Sequence, residues 1–237
     1  MLPYICEFIG TCMLIVLGLS ACCSATLDKS AQQGIGALQV NIAWGLAVMI
    51  PAFIFGEASG AHFNPALTIA LAVDGTLEWS KVLGYILCQF GGAFLGACIV
   101  YLLFKGMFDA TDCPEVKRAC FVTGPSVDSL PLNIFQEFIA TFILVFSIKG
   151  ISRITGLAPG VDKLLVFGII CAMGMCMASL TGAALNPARD LAPRIAHALL
   201  PIKNKADSNW KYGLIVPIVG PLLGALSAVL LYGAIPW

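Results

Sequence analysis

Ser59-Gly60-Ala61-His62-Phe63-Asn64-Pro65-Ala66 and, with its Asn-Pro-Ala triplet 122 residues further on, Thr181-Gly182-Ala183-Ala184-Leu185-Asn186-Pro187-Ala188-Arg189-Asp190 are the stretches on which the reading of this chain turns. Asparagine is a favoured helix N-cap, and proline is tolerated at the first helical position because its missing N–H would be unpaired there anyway. Each triplet therefore starts a helix. The apolar segments that follow, Asn64 to Val73 and Asn186 to Leu200, are too short to cross a bilayer. A helix of about ten residues rises roughly 15 Å, half the thickness of a hydrocarbon core, so each segment enters from one face and stops near the midplane.

Outward from these segments lie six longer runs, near 5–26, 36–56, 82–104, 132–149, 163–181 and 212–236, each nearly free of charge and long enough to span as a helix. They are continuously apolar, whereas the strands of a membrane barrel alternate polar and apolar residues. Hydrophobic side chains make up 59% of the 237 residues and charged ones only 11%, which excludes an ordinary soluble domain. The 13 Lys+Arg balance 13 Asp+Glu and are scattered, so neither a nucleic-acid footprint nor a polybasic membrane tether is present. The expected class is an all-α membrane protein of six transmembrane helices plus two re-entrant half-helices.

The chain also repeats itself. Glu7-Phe8-Ile9-Gly10-Thr11 returns as Glu137-Phe138-Ile139-Ala140-Thr141, and Gly92-x-x-x-Gly96 returns as Gly220-x-x-x-Gly224, at offsets between 122 and 130. Three spans per half is an odd number, so the second half enters from the opposite side and the repeat is inverted. The reading is one domain over 1–237, with halves 1–104 and 132–237 joined by a loop over 105–131. The glycine pairs read as packing faces that let spans three and six approach closely.

Two half-helix starts meeting at the bilayer centre bring together two positive dipole ends, each equivalent to about half an elementary charge. That disfavours cations, hydronium included. The asparagine amides add donors, and the non-helical backbone before each triplet, Gly60, Ala61, His62 and Phe63 in one loop and Thr181, Gly182, Ala183, Ala184 and Leu185 in the other, offers carbonyl acceptors where it lines a cavity. The implied object is a pore for neutral, hydrogen-bonding solutes.

The remaining polar residues narrow this reading. Eight of the ten cysteines fall in apolar runs and read as small core hydrophobes; only Cys113 and Cys120 sit in a polar loop, where a bridge is open. No Cys/His pattern of a metal site, nucleophile–base set or phosphate loop occurs, so no metal, cofactor or catalytic residue is assigned and the chain does not read as an enzyme. The first basic residue is Lys29, so the first apolar run lacks the charged leader of a signal peptide and reads as a span. With a cytoplasmic N-terminus, Lys81, Lys149, Arg153 and Lys163 lie inside, and Lys29, Lys105, Lys117, Arg118, Lys203, Lys205 and Lys211 lie outside, against the positive-inside rule.

The two triplet loops resemble the signature loops of the aquaporin, or major intrinsic protein, family, and the resemblance covers essentially the whole chain. It implies cytoplasmic termini in the cell membrane, whether plasma or inner membrane, and a homotetramer in the lipid bilayer with one pore per subunit. It further implies that Glu7 and Glu137 hold the two loops by accepting backbone N–H groups, that His62 fixes its loop, and that Arg189 donates to permeant hydroxyls or water while repelling cations. The family's constriction maps onto Trp44, Gly174, Ala183 and Arg189. Strict water channels place a histidine where this chain has Gly174. Asp190, the basic Arg194 four residues after it and Pro221-Leu222 resemble the aquaglyceroporin, or glycerol uptake facilitator, branch; Arg194 otherwise reads as peripheral. The implied permeants are water and glycerol or similar small neutral solutes. Where that branch carries a second aromatic this chain has Ala183, so a wider opening is expected unless Phe63 or Met175 refills it, with lactic acid or urea as further permeants. A proton-coupled secondary transporter using Glu7, Glu137 and His62 is the competing reading.

Overall fold

The computed structural model describes residues 1–237 and is helical throughout, with no strand. Six helices are long and apolar enough to cross a membrane. They are α1 (Leu2–Thr26), α2 (Ala37–Ser59), α4 (Trp79–Leu103), α7 (Leu130–Ile151), α8 (Val161–Thr181) and a last span broken into α10 (Trp210–Gly213) and α11 (Val216–Ala234). Between them sit the half-helices α3 (Pro65–Val73) and α9 (Pro187–Leu199). The loop over 105–131 is not fully irregular, since it holds two single turns of helix, α5 (Lys105–Ala110) and α6 (Pro114–Ala119). The break in the last span follows from Pro217, which has no N–H to bond the carbonyl of Gly213.

The two halves share one packing scheme. Helix α1 packs against α2 and α4, and α7 packs against α8 and α11. Each half-helix then crosses over: α3 lies on α11, and α9 lies on α4, the third span of the other half. The glycine pairs explain how closely these helices come. A Cβ on Gly92 would stand 2.1 Å from the Phe8 carbonyl oxygen, and one on Gly224 would stand 2.3 Å from that of Phe138. The partner of spans three and six is thus the first span of their own half, and backbone meets backbone at the contact.

Two apolar clusters fill the interior. One gathers Ile15, Leu19, Cys23, Phe63, Phe108 and Phe121 under the loop between the halves; the other gathers residues of α3, α7 and α11, among them Leu67, Val145 and Val229. All ten cysteines are free. Cys113 is exposed with its thiol donating to Glu115, whereas Cys120 is buried with its sulfur 3.4 Å from Thr26 Oγ1, so the polar loop holds no bridge.

Of the basic residues in the segments away from the termini, Lys29, Lys105, Lys203 and Lys211 are exposed, whereas Lys117, Arg118 and Lys205 are tied into the structure. Lys205 Nζ donates to the carbonyls of His197, Ala198 and Leu200 at 2.6–2.8 Å, closing the C-terminus of α9 where a cation complements the helix dipole. Burial holds its ammonium below the usual lysine range. Lys117 is buried and donates to the Lys203 carbonyl at 2.6 Å, and Arg118 donates to that of Asp207. On the opposite face, beside the termini, Lys149 meets Asp74 at 2.7 Å and ties the end of α3 to α7.

Candidate functional site: a lumen through crossed half-helices

The site begins with the asparagine caps. Asn64 Oδ1 accepts from the Ala66 N–H at 2.9 Å, and Asn186 Oδ1 accepts from those of Ala188 and Arg189 at 3.0 and 3.2 Å. Their amide nitrogens reach across: Asn64 Nδ2 donates to the Leu185 carbonyl at 2.9 Å and Asn186 Nδ2 to the Phe63 carbonyl at 2.7 Å. Each loop is therefore braced by the cap of the other, and the positive ends of α3 and α9 face one another.

The backbone before each cap is held in an uncommon shape. Ala61, Phe63, Ala183 and Leu185 have φ between 48° and 57°, beside Gly60 at 83° and Gly182 at 86°. Left-handed conformations at residues with a side chain cost on the order of 1–3 kcal/mol each and persist only where surroundings enforce them. Here two buried carboxylates do so. Glu7 accepts from the N–H groups of His62 and Phe63 at 3.0 and 2.8 Å, from Ser59 Oγ at 2.7 Å and from Gln89 Nε2 at 2.8 Å. Glu137 accepts from the N–H groups of Ala184 and Leu185 at 2.8 and 2.9 Å and from Thr181 Oγ1 at 2.6 Å. His62 is buried, with Nδ1 3.2 Å from Thr68 Oγ1 and its ring edge-on to Tyr85.

These loops border a cavity of about 250 Å³ whose wall is mostly apolar. Along α8 and its C-cap it is lined by Lys163, Val166, Ile170, Gly174, Ala178 and Gly182, one stripe with helical spacing along the whole element. Twenty residues of helix rise about 30 Å, the thickness of a hydrocarbon core, so the lumen runs the length of a spanning helix. Asn64 and Asn186 line it, as do Gly60 to Phe63 and Gly182 to Leu185. Pro65, Ala66, Pro187 and Ala188 are buried behind them.

Trp44, Gly174, Ala183 and Arg189 all border the same lumen. The indole of Trp44 lies between two elements. One is Gly18 of α1, where a Cβ would come within 2.4 Å of the ring; the other is the Arg189 guanidinium, 4.1 Å from the ring centroid. Arg189 is 9% exposed and its guanidinium donates no hydrogen bond within the protein; Nη1 is sealed from solvent, so Nε and Nη2 are the donors left with open surface. A buried cation with an idle donor beside a lumen is a group that a passing acceptor can use.

Asp190 and Arg194 turn away from the lumen and into the protein. Asp190 accepts from the N–H and hydroxyl of Thr123 at 2.8 and 2.6 Å and pairs with Arg194 at 2.7 Å. Arg194 also donates to the carbonyls of Thr123, Ser208 and Asn209.

Two expectations need correction. Arg194 is not peripheral: its side chain is fully buried and joins α9, the 105–131 loop and the start of the last span, where Gly213 leaves it room. Thr181 does not belong to the non-helical lining. It is the last residue of α8, with its hydroxyl on Glu137 and its carbonyl accepting from Tyr212 at 3.3 Å. Sequence reasoning also missed Asn41, Leu14 and Lys163 as lining residues. Asn41 and Lys163 could have been found by helical spacing, three residues before Trp44 and eleven before Gly174 on their helices. Met175 is 52% exposed on the outside of α8, and the Phe63 ring lies over Gly10, so neither fills the space at Ala183.

An inverted six-span bundle with two capped half-helices meeting beside a membrane-long lumen defines a channel-type membrane protein. Residues 2–232 match the major intrinsic protein family, and the chain belongs to it. It is 44% identical over 229 residues to the probable glycerol uptake facilitator protein of Thermotoga maritima, covering 97% of both chains. It is 45% identical over 228 residues to the glycerol uptake facilitator protein of Bacillus subtilis, covering 96% of this chain and 82% of that one. Its structure superposes on that of the aquaglyceroporin from Plasmodium falciparum with a TM-score of 0.85 at 29% identity, over 98% of this chain and 95% of that one.

Proposed function

We propose that this protein is a passive channel conducting glycerol, other small neutral solutes and water across the cell membrane, with both termini cytoplasmic and four copies assembled around separate pores. The observation that carries the reading is the lumen itself, as long as a spanning helix and bordered by an arginine donor without a protein partner. In this reading a solute slides its carbon skeleton along Trp44 while its hydroxyls take the Arg189 donor and the loop carbonyls. Asn64 and Asn186 mark the midpoint, where the two facing helix dipoles repel cations. Glu7 and Glu137 serve as fixed acceptors for the loops: each carboxylate already receives three or more hydrogen bonds from its own protein. That argues against a carboxylate that loads and unloads protons. Ala183 leaves the constriction with one ring, and Ala183→Phe is expected to lower the solute size cut-off.

Stopped-flow light scattering on proteoliposomes tests the proposal. Glycerol uptake should exceed that of empty liposomes and stay the same with or without an imposed pH gradient. Uptake driven by the gradient would replace the channel with a coupled transporter.

A further inference from the structure

The space beside Gly174 is not empty. A Cβ built on Gly174 would stand 2.7 Å from Asn41 Oδ1, 2.9 Å from its Cγ and 3.0 Å from its Cβ. The side chain of Asn41 thus occupies the direction in which any larger residue at 174 would project. Asn41 and Trp44 are three residues apart on α2, share a face and both border the lumen, as Gly174 and Arg189 do. The rise of a helix puts Asn41 about 4.5 Å from the level of Trp44, toward the N-terminal end of α2.

Asn41 is 8% exposed, and its amide makes no hydrogen bond within the protein. Its polar atoms are not among those sealed from solvent, in contrast to Arg189 Nη1. A mostly buried amide normally finds partners, and the surface left to this one faces the lumen. Its chemistry is a carbonyl acceptor and two N–H donors on one short side chain.

We infer that Asn41 is a further specificity-determining residue of this channel, a hydrogen-bonding wall at the constriction that favours small neutral solutes with polar groups on more than one edge. The inference rests on the channel reading above. Without Asn41, the ring of Trp44, the bare Gly174 and the methyl of Ala183 leave Arg189 as the one strongly polar side chain at this level. A solute that sheds water there loses hydrogen bonds it must recover from the wall. Arg189 supplies donors only, whereas the Asn41 amide supplies an acceptor for a solute N–H or O–H as well. Urea, with donors and an acceptor around its rim, gains from both. Propane-1,3-diol, with an apolar central carbon, gains less.

The test is the ratio of urea to propane-1,3-diol permeability in proteoliposomes of the full-length protein, with glycerol measured alongside. Asn41→Leu keeps the branching and the number of heavy atoms and removes the amide, and it is expected to lower the ratio about three- to tenfold, the worth of one neutral hydrogen bond. Asn41→Ser, which keeps a hydroxyl, should fall between the two, and it carries the test if the leucine variant does not fold. Ratios within twofold of the parent in both Asn41 variants would overturn the inference while the channel reading stands. A parent protein with no glycerol flux above empty liposomes would overturn that reading, and the inference with it.

Discussion

Glu7 decides the shape of the first loop through two oxygens. Its oxygens accept from the consecutive His62 and Phe63 N–H groups, which lie in non-helical backbone where no helix or strand would satisfy them. Glu7→Leu leaves both donors buried and unpaired, at a cost of about 1–3 kcal/mol each. A melting curve in detergent should therefore shift down markedly, and Glu7→Gln, which keeps one acceptor, should shift it less. The sequence disclosed this residue as a charge within an apolar run, repeated at Glu137. It did not disclose Gln89, which donates to the same carboxylate, because an isolated Gln in a span carries no spacing signal, and it showed Ser59 as the start of the loop without its bond to Glu7. Arg194 was misjudged for a related reason. A basic residue four positions after Asp190 looks like a helix-surface pair, and only the approach of Thr123, Ser208 and Asn209 from distant parts of the chain encloses it.

The elements themselves were legible where a single physical rule governs them. Span length follows from bilayer thickness and half-helix starts follow from cap chemistry, so α3 and α9 begin within one residue of expectation. The short helices in the 105–131 loop were not legible, because they depend on packing against the end of the bundle away from the termini, whereas the interruption at Leu214 and Ile215 had its signal in Pro217, which the sequence reading did not use. Helix contacts divide in the same way. Gly224 abuts the Phe138 carbonyl, whereas a Cβ on Gly233 of the same helix meets nothing within 4 Å. Gly224→Ala should lower yield and melting temperature strongly, and Gly233→Ala should leave both unchanged or improve them through helix propensity. The tie between α3 and α7 adds a pH dependence. Burial pushes the Asp74 carboxyl up, but hydrogen bonds from Lys149 and Thr76 outweigh it and hold the group below its ordinary value of 3.8. A depressed carboxyl contributes stability that is complete above that value and is lost as the pH falls through and below it. Thermal stability should fall as the pH is lowered through and below 3.8, and Asp74→Asn should flatten that part of the curve.

At the scale of the whole molecule, neither half completes a loop by itself. The Asn64 amide closes on Leu185 and the Asn186 amide closes on Phe63, while α3 rests on α11 and α9 on α4. The two halves expressed as separate chains, cut within 105–131, should conduct glycerol only when produced together; flux from either alone would contradict the crossed bracing. The inverted arrangement was readable from odd span number and repeated motifs, but the mutual bracing was not, since it joins residues more than 120 positions apart.

That bracing imposes an order on biogenesis. A ribosome releases the first triplet long before the second exists, so residues 59–64 wait in the membrane with the Phe63 carbonyl and the Asn64 amide lacking their eventual partners. Glu7, made earlier in the same half, can already hold the His62 and Phe63 N–H groups, but the bonds from Asn64 to Leu185 and from Asn186 to Phe63 close only once the second half is made.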